Sequence, residues 1–380
     1  MAEPVRKPRI SAASARSHTR RDAPRRGPGF PGFVRRLVML VGVVVGSMIF
    51  KMITPPPGKV LNGPDGIKVT APRIEMRDGR YLAYREVGVR KERARHYIVH
   101  VHGYGGSRLD TIAIPAEVMN ELSLYVVSFD RAGYGQSDPN PKRSLKSDVE
   151  DVEDLADGIG LRPKFYVIAS SIGSYVGWGL LKYKPERLAG VAFTAPMVNY
   201  WWPGFPKSEM AKAWGSQRTG DKMSYMVAHY LPSFTFWYNM VQKRLPRSVL
   251  ESEDGNLAFN ERDQEAIKML PTIIAPEHYK EATQQGTYES KAKDWIIMNS
   301  DWAFTPMSLE NPFDIPVHIW QGSEDSLVPA NLQRHVASSL PWVKYHELEG
   351  EGHLLDYYSG FPEKMVRTLQ EDSNQKDFTL

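Results

Sequence analysis

Strand-like and helix-like segments alternate along most of this chain, and that alternation limits the fold more than any other feature. His96–Val101, Leu124–Asp130, Phe165–Ala169, Leu188–Phe193, Val317–Gln321 and Trp342–Leu348 read as strands. Leu145–Ile159 carries Val149, Val152 and Leu155 at helical spacing. Further helices are expected over Ser171–Tyr183, near Asn331–Leu340, and from His353 to about Gln370. Two earlier strands, Arg73–Arg77 and Tyr81–Val87, flank Asp78-Gly79, a hairpin signal. Parallel strands need long crossovers, and crossover helices cover both faces of the sheet. The expected class is therefore α/β, with a mostly parallel central sheet and helices on both sides.

The alternation breaks between residues 198 and 305. This stretch reads as helical and irregular, and it is rich in aromatics, from Tyr200, Trp201 and Trp202 to Phe236, Trp237 and Tyr238. It is expected to be a helical lid inserted into a core of residues 66–197 and 306–370, with 371–380 as a C-terminal tail. Its aromatics either build a small core for the lid itself or line a pocket for an acyl or isoprenoid group.

The N-terminus is of a different kind. Residues 1–36 hold ten Arg or Lys against two acids, although the whole chain has a formal net charge of only +4. Residues 1–32 lack an apolar period and are expected to be a disordered basic tail. Leu37–Phe50 is an uncharged run, and the wider apolar region, 33–53, is expected to anchor the chain in a membrane. The uncharged part alone gives about 21 Å of helix against a ~30 Å hydrocarbon core, so Arg35, Arg36 and Lys51 must snorkel at its ends. The basic flank keeps residue 1 cytosolic and sends the body across, most simply into the endomembrane system. A cleaved signal peptide and an organellar targeting segment are the alternatives. Residues 54–65 are a Pro/Gly linker. The basic tail lacks interleaved aromatics and abuts the apolar run, so a membrane partner explains it better than nucleic acid. The absence of cysteine excludes disulfides, thiolate metal sites and a cysteine nucleophile.

Chemistry concentrates where strands end. Ala169-Ser170-Ser171-Ile172-Gly173 follows an apolar strand and precedes a helix, as a sharp turn presenting one serine oxygen does. With Ser171 at the apex the flanking positions are the small Ala169 and Gly173. With Ser170 they are Ile168 and Ile172, both bulky, so Ser171 is the candidate nucleophile. A serine hydroxyl needs a base, and the base needs an orienting carboxylate. Asp325 follows the strand Val317–Gln321, and His353 follows Trp342–Leu348; Glu324 is the second choice of acid. An oxyanion requires two N–H donors. The expected pair is the amide of Ile172, just after the nucleophile, and that of Tyr104 in His102-Gly-Tyr-Gly-Gly-Ser107. His102 is expected to shape that loop. No cofactor or metal ligand set stands out, and nothing indicates an oligomeric state.

The segments HGYGGS (102–107), DRAGYGQSD (130–138), ASSIGS (169–174), GSED (322–325) and GEGH (350–353) resemble those of the α/β-hydrolase superfamily over residues 66–370. More closely, the chain is similar to plant membrane-anchored α/β-hydrolases of undefined substrate. The resemblance implies an α/β-hydrolase fold and structural roles for Asp130 and Arg131. Ala169 and Ser174 stand where that family usually has Gly. Serine at the apex differs from the aspartate of epoxide hydrolases and dehalogenases. The expectation is a serine hydrolase that cleaves a carboxylic ester, possibly a lipid-like one. A peptidase, thioesterase or acyltransferase with the same three residues, and a ligand receptor on this fold, remain open.

Overall fold

The computed structural model describes residues 32–55, 61–62, 66–242, 245–251, 259–273 and 277–377. The basic tail through residue 31, most of the expected linker and residues 378–380 lie outside the described residues. Residues 1–51 and 52–380 form two separate compact units. Helix α1 (Gly32–Ile53), all but its last two residues in the first unit, has no buried residue along its length.

The second unit is built on an eight-stranded sheet. Its strands are β1 (Arg73–Glu75), β2 (Tyr81–Gly88), β3 (His96–Val101), β4 (Leu124–Phe129), β5 (Phe165–Ser170), β6 (Leu188–Thr194), β7 (Val317–Gly322) and β8 (Val343–Leu348). The order is β1-β2-β4-β3-β5-β6-β7-β8. The β1–β2 and β2–β4 pairs are antiparallel, and all others are parallel. The chain leaves β3 toward β4 on one side and returns as β5 on the other. The carboxyl ends of β3 and β5 therefore flank the point where the winding reverses, which opens a crevice in sheets of this kind.

Side chains alternate across each strand, so the sheet has two cores. Val99, Val127, Val167 and Ala169 face one, where α3 (Leu145–Gly158) and α4 (Ser174–Tyr183) supply Val149, Val152, Leu155 and Val176. Ile98, Val126, Ile168 and Trp320 face the other, with Val118 and Met119 of α2 (Ala116–Glu121). Helix α12 (Phe361–Asp377) adds Met365, Val366 and Leu369 there. Helix α11 (Ala330–Ser338) covers the first face through Leu332 and Val336.

Between β6 and β7 the described residues form six α-helices: α5 (Lys207–Ser216), α6 (Thr219–Tyr230), α7 (Thr235–Val241), α8 (Glu261–Ile273), α9 (Glu277–Ala282) and α10 (Glu289–Asn299). The C-terminal helix differs from the expected His353–Gln370. His353 lies in a loop, and the helix begins at Phe361, where Pro362 in the first turn has no intrahelical bond to lose. It continues to Asp377 through part of the expected tail. Asp372, on this helix, accepts a 2.5 Å ion pair from Lys344 of β8, a tertiary tie beyond the reach of apolar periodicity.

Candidate active site

Strand β5 decides which serine is presented. Within the strand Ser170 follows the pleat and shares a face with Ile168. Its Oγ lies 3.1 Å from His100 Nε2 and accepts a 3.2 Å bond from Thr194 Oγ1 on β6. Ser171 leaves the strand with φ +49°, a left-handed backbone that is costly for a residue with a side chain. A short 3-10 turn, Ser171–Gly173, then leads into α4. Gly173 is required by space: a Cβ there would lie 2.5 Å from the carbonyl oxygen of His102 and 2.8 Å from that of Val101.

That turn brings Ser171 Oγ to 2.9 Å from His353 Nε2. His353 Nδ1 lies 2.8 Å from Asp325 Oδ2. The carboxylate is itself held firmly. Its Oδ1 accepts the amides of Leu327 and Val328 at 2.8 and 2.9 Å, and Oδ2 accepts from Gln321 Nε2 at 2.9 Å. Glu324 is exposed and lies within 3.4 Å of Asn260 Nδ2. The hydrogen-bond chain thus runs Asp325, His353, Ser171 across three strand ends. Burial pulls the His353 pKa down, but the charge and hydrogen bond of Asp325, with Asp263 and Asp356 nearby, outweigh it and leave the pKa raised. A raised value makes the imidazole a stronger proton acceptor.

The loop after β3 passes directly over the turn. A Cβ on Gly103 would lie 3.5 Å from Ser171 Cβ, so the Gly103–Tyr104 peptide adjoins Ser171. The carbonyl of Gly103 accepts from Arg131 Nη2 at 2.9 Å and from His102 Nδ1 at 2.8 Å. In a trans peptide the following N–H points opposite to the carbonyl, so pinning this oxygen also fixes the direction of the Tyr104 amide. Ile172, the other expected donor, is fully buried immediately after Ser171.

His102 accepts the Arg131 backbone N–H at Nε2, 3.2 Å away, so the bonding pattern assigns it a neutral ring protonated at Nδ1. Burial and the nearby Arg131 charge push its pKa well down, which suits a locked structural histidine. Asp130 accepts the backbone and the guanidinium of Arg108, at 2.6 and 2.7 Å.

Two groups of contacts had no sequence signal. Arg131 is paired with Asp294 of α10, at 2.5 and 2.7 Å, and Asp294 also accepts from Arg143 and Tyr134. Asp263 of α8 accepts the backbone N–H of His353 at 2.9 Å. The pattern Asn260-Glu-Arg-Asp263 is legible as a helix start, and Asn260 Oδ1 does accept the Asp263 amide at 2.9 Å. No local pattern reveals a bond to a residue 90 positions away.

Most insertion aromatics form a core. Tyr200, Trp202, Tyr225, Tyr238 and Trp295 are buried. Trp295 Nε1 donates to Tyr104 Oη at 3.0 Å, which ties this cluster to the loop after β3. A recess of 320 Å³ is lined by Trp201, Trp202, Trp302 and Phe304, among others, but by none of Ser171, Asp325 and His353.

A family model described as "Alpha/beta hydrolase family" matches residues 98–368. The chain belongs to the α/β-hydrolase superfamily. Solved structures agree on the fold at low identity. An esterase from Exiguobacterium antarcticum is 13% identical with a TM-score of 0.56, over 79% of this chain and 100% of that one. An esterase from Thermogutta terrifontis is 18% identical with a TM-score of 0.51, over 80% and 99%. An α/β superfamily hydrolase from Oenococcus oeni is 15% identical with a TM-score of 0.54, over 80% and 99%.

Proposed function

We propose that this α/β-hydrolase superfamily member is a serine hydrolase that cleaves a carboxylic ester through an acyl-enzyme on Ser171. The observation that carries the reading is the unbroken chain from Asp325 Oδ2 through His353 to Ser171 Oγ, at 2.8 and 2.9 Å. His353 Nε2 takes the proton as Ser171 Oγ forms its bond to the ester carbonyl carbon. The amides of Tyr104 and Ile172 hold the resulting oxyanion. His353 then returns the proton to the leaving alkoxide as the carbon–oxygen bond breaks. Water, activated by the same imidazole, attacks the acyl-enzyme and releases the acid and free Ser171. Asp325 orients the ring and stabilises its transient charge. The esterases among the solved neighbours share this fold, which supports the reading.

The same reading places the enzyme on a membrane. Helix α1 is long and apolar enough to cross a bilayer, and it stands near the N-terminus beside a basic segment. A lipid-like ester is the substrate class that such a location favours. A fluorophosphonate probe tests the chemistry. It should label the wild-type protein and leave Ser171→Ala unlabelled, and that substitution should lower kcat on a model ester by about 10⁵-fold or more. Labelling that survives in Ser171→Ala would sink the assignment.

A further inference from the structure

We propose that Asp263, supplied by the insertion, is a positioning residue for His353, so that the segment between β6 and β7 builds part of the catalytic machinery as well as covering it. The inference rests on the serine-hydrolase reading above. Its basis is a clasp between the start of α8 and the loop that carries the base. Asp263 is completely buried. Its Oδ2 accepts the backbone N–H of His353 at 2.9 Å. Its Oδ1 accepts the N–H of Leu354 and the Oη–H of Tyr358, both at 2.7 Å. Tyr358 Oη in turn accepts the Gly352 amide at 3.0 Å. Two neighbours extend the clasp: Asn260 Nδ2 donates to the Gly350 carbonyl at 3.0 Å, and Arg262 Nε to Glu351 at 3.1 Å.

This clasp has a geometric consequence. His353 lies in neither a strand nor a helix, so no ladder of backbone bonds fixes its Cα. Asp325 and Ser171 hold only the far end of the side chain. The bond from Asp263 holds the near end, at the backbone amide. Gly352 leaves room for it, since a Cβ there would strike the Asp263 carboxylate. A base that drifts by about 1 Å loses on the order of 10²-fold in rate.

There is an electrostatic consequence too. The charged groups that act most strongly on the imidazole are carboxylates: Asp325 from the loop after β7, Asp263 from α8, and Asp356 just after His353 itself. Each favours the imidazolium that forms when Ser171 gives up its proton. Removing the Asp263 charge therefore makes the ring harder to protonate. A residue that merely stabilised the fold would leave that titration where it is.

The test uses the full-length protein and a soluble p-nitrophenyl ester. Asp263→Asn should lower kcat about 10²-fold while KM stays within about threefold. The acid limb of its pH–rate profile should move to lower pH. Fluorophosphonate should still label Ser171 to completion, but more slowly. If folded D263N matches an active wild type in kcat and acid limb, the proposal is overturned and the hydrolase reading stands. A wild-type protein inert to both ester and probe overturns the hydrolase reading and the proposal with it. If D263N fails to fold, the half-buried Asn260→Ala replaces it. That variant loosens the clasp but keeps the charge, so kcat should fall about three- to tenfold with the acid limb unmoved. An unchanged kcat in N260A then overturns the proposal.

Discussion

Ser170 and Ser171 are chemically identical neighbours, and the backbone alone separates their fates. The pleat of β5 turns Ser170 toward His100 and Thr194, while a left-handed φ turns Ser171 toward His353. The sequence holds this choice in the sizes of Ala169 and Gly173, because only a turn centred on Ser171 puts small residues at both crowded positions. The carboxylate was harder to read, since Glu324 and Asp325 both follow β7. Two adjacent amides, of Leu327 and Val328, capture Asp325, and that selection depends on how the loop closes. The environment of His353 sets the pH behaviour that the proposed mechanism implies. Burial lowers the His353 pKa, and Asp325, Asp263 and Asp356 more than restore it, so the ring stays protonated to a higher pH than a free histidine. In the proposed mechanism only the neutral ring can accept the Ser171 proton. The kcat/KM profile of the wild-type enzyme should therefore have its acid limb centred above about pH 6.5, the ordinary histidine value. A limb centred below that value, measured on a soluble ester, would contradict the electrostatics described for this site.

At the scale of elements, the sheet and the presence of a helical insertion were legible, and the insertion's internal packing was not. Strands β3, β5 and β7 are short, mainly apolar runs, ending at Val101, Ser170 and Gly322, and their lengths and order can be read one at a time. The helices between β6 and β7 pack on one another and reach the core through isolated buried groups, which leave no period in the sequence. Asp294 is the clearest case. Burial pulls its pKa up, but Arg131 and Arg143 outweigh that and leave it lowered, so it remains a carboxylate between two guanidiniums. Arg131 spans from this carboxylate to the Gly103 carbonyl, so the insertion helix α10 braces the loop expected to bind the oxyanion. Asp294→Ala leaves two buried cations short of a partner, and breaking a buried pair in this way costs about 3–5 kcal/mol. Urea unfolding should show that loss as a lower midpoint. Surface ion pairs give the comparison: Arg367→Ala, which breaks its pairs with Glu121 and Glu363, should shift the midpoint little. Equal shifts for the two variants would mean that the Asp294 cluster does not brace the core.

At the scale of the whole molecule, an α/β-hydrolase body and an apolar helix share one chain, and charge divides them unevenly. The first 36 residues are strongly basic, while the rest is mildly acidic. The apolar side chains of α1 point outward all round the helix, with Phe33, Val38, Leu40, Val43 and Phe50 each more than 60% exposed. A 22-residue helix spans about 33 Å, enough for the hydrocarbon core of a bilayer. An uncovered apolar surface, flanked by Arg35, Arg36 and Lys51 at its ends, is costly in water and natural in lipid. The reading of α1 as a retained anchor leads to a specific expectation. Full-length protein tagged at both ends should resist carbonate extraction and keep both tags, whereas a cleaved signal peptide would remove the N-terminal one. In sealed vesicles the basic flank should leave the N-terminal tag open to protease and the C-terminal tag protected. One charge at mid-span tests the helix itself. Val44→Asp costs about 2.5–3.5 kcal/mol of insertion energy at the helix centre, so a measurable share of the chain should move to the soluble fraction. The released protein should keep wild-type turnover on a soluble ester, because residues 52–380 form a compact unit of their own that holds Ser171, Asp325 and His353. Loss of turnover on release would show instead that the bilayer helps to shape the site.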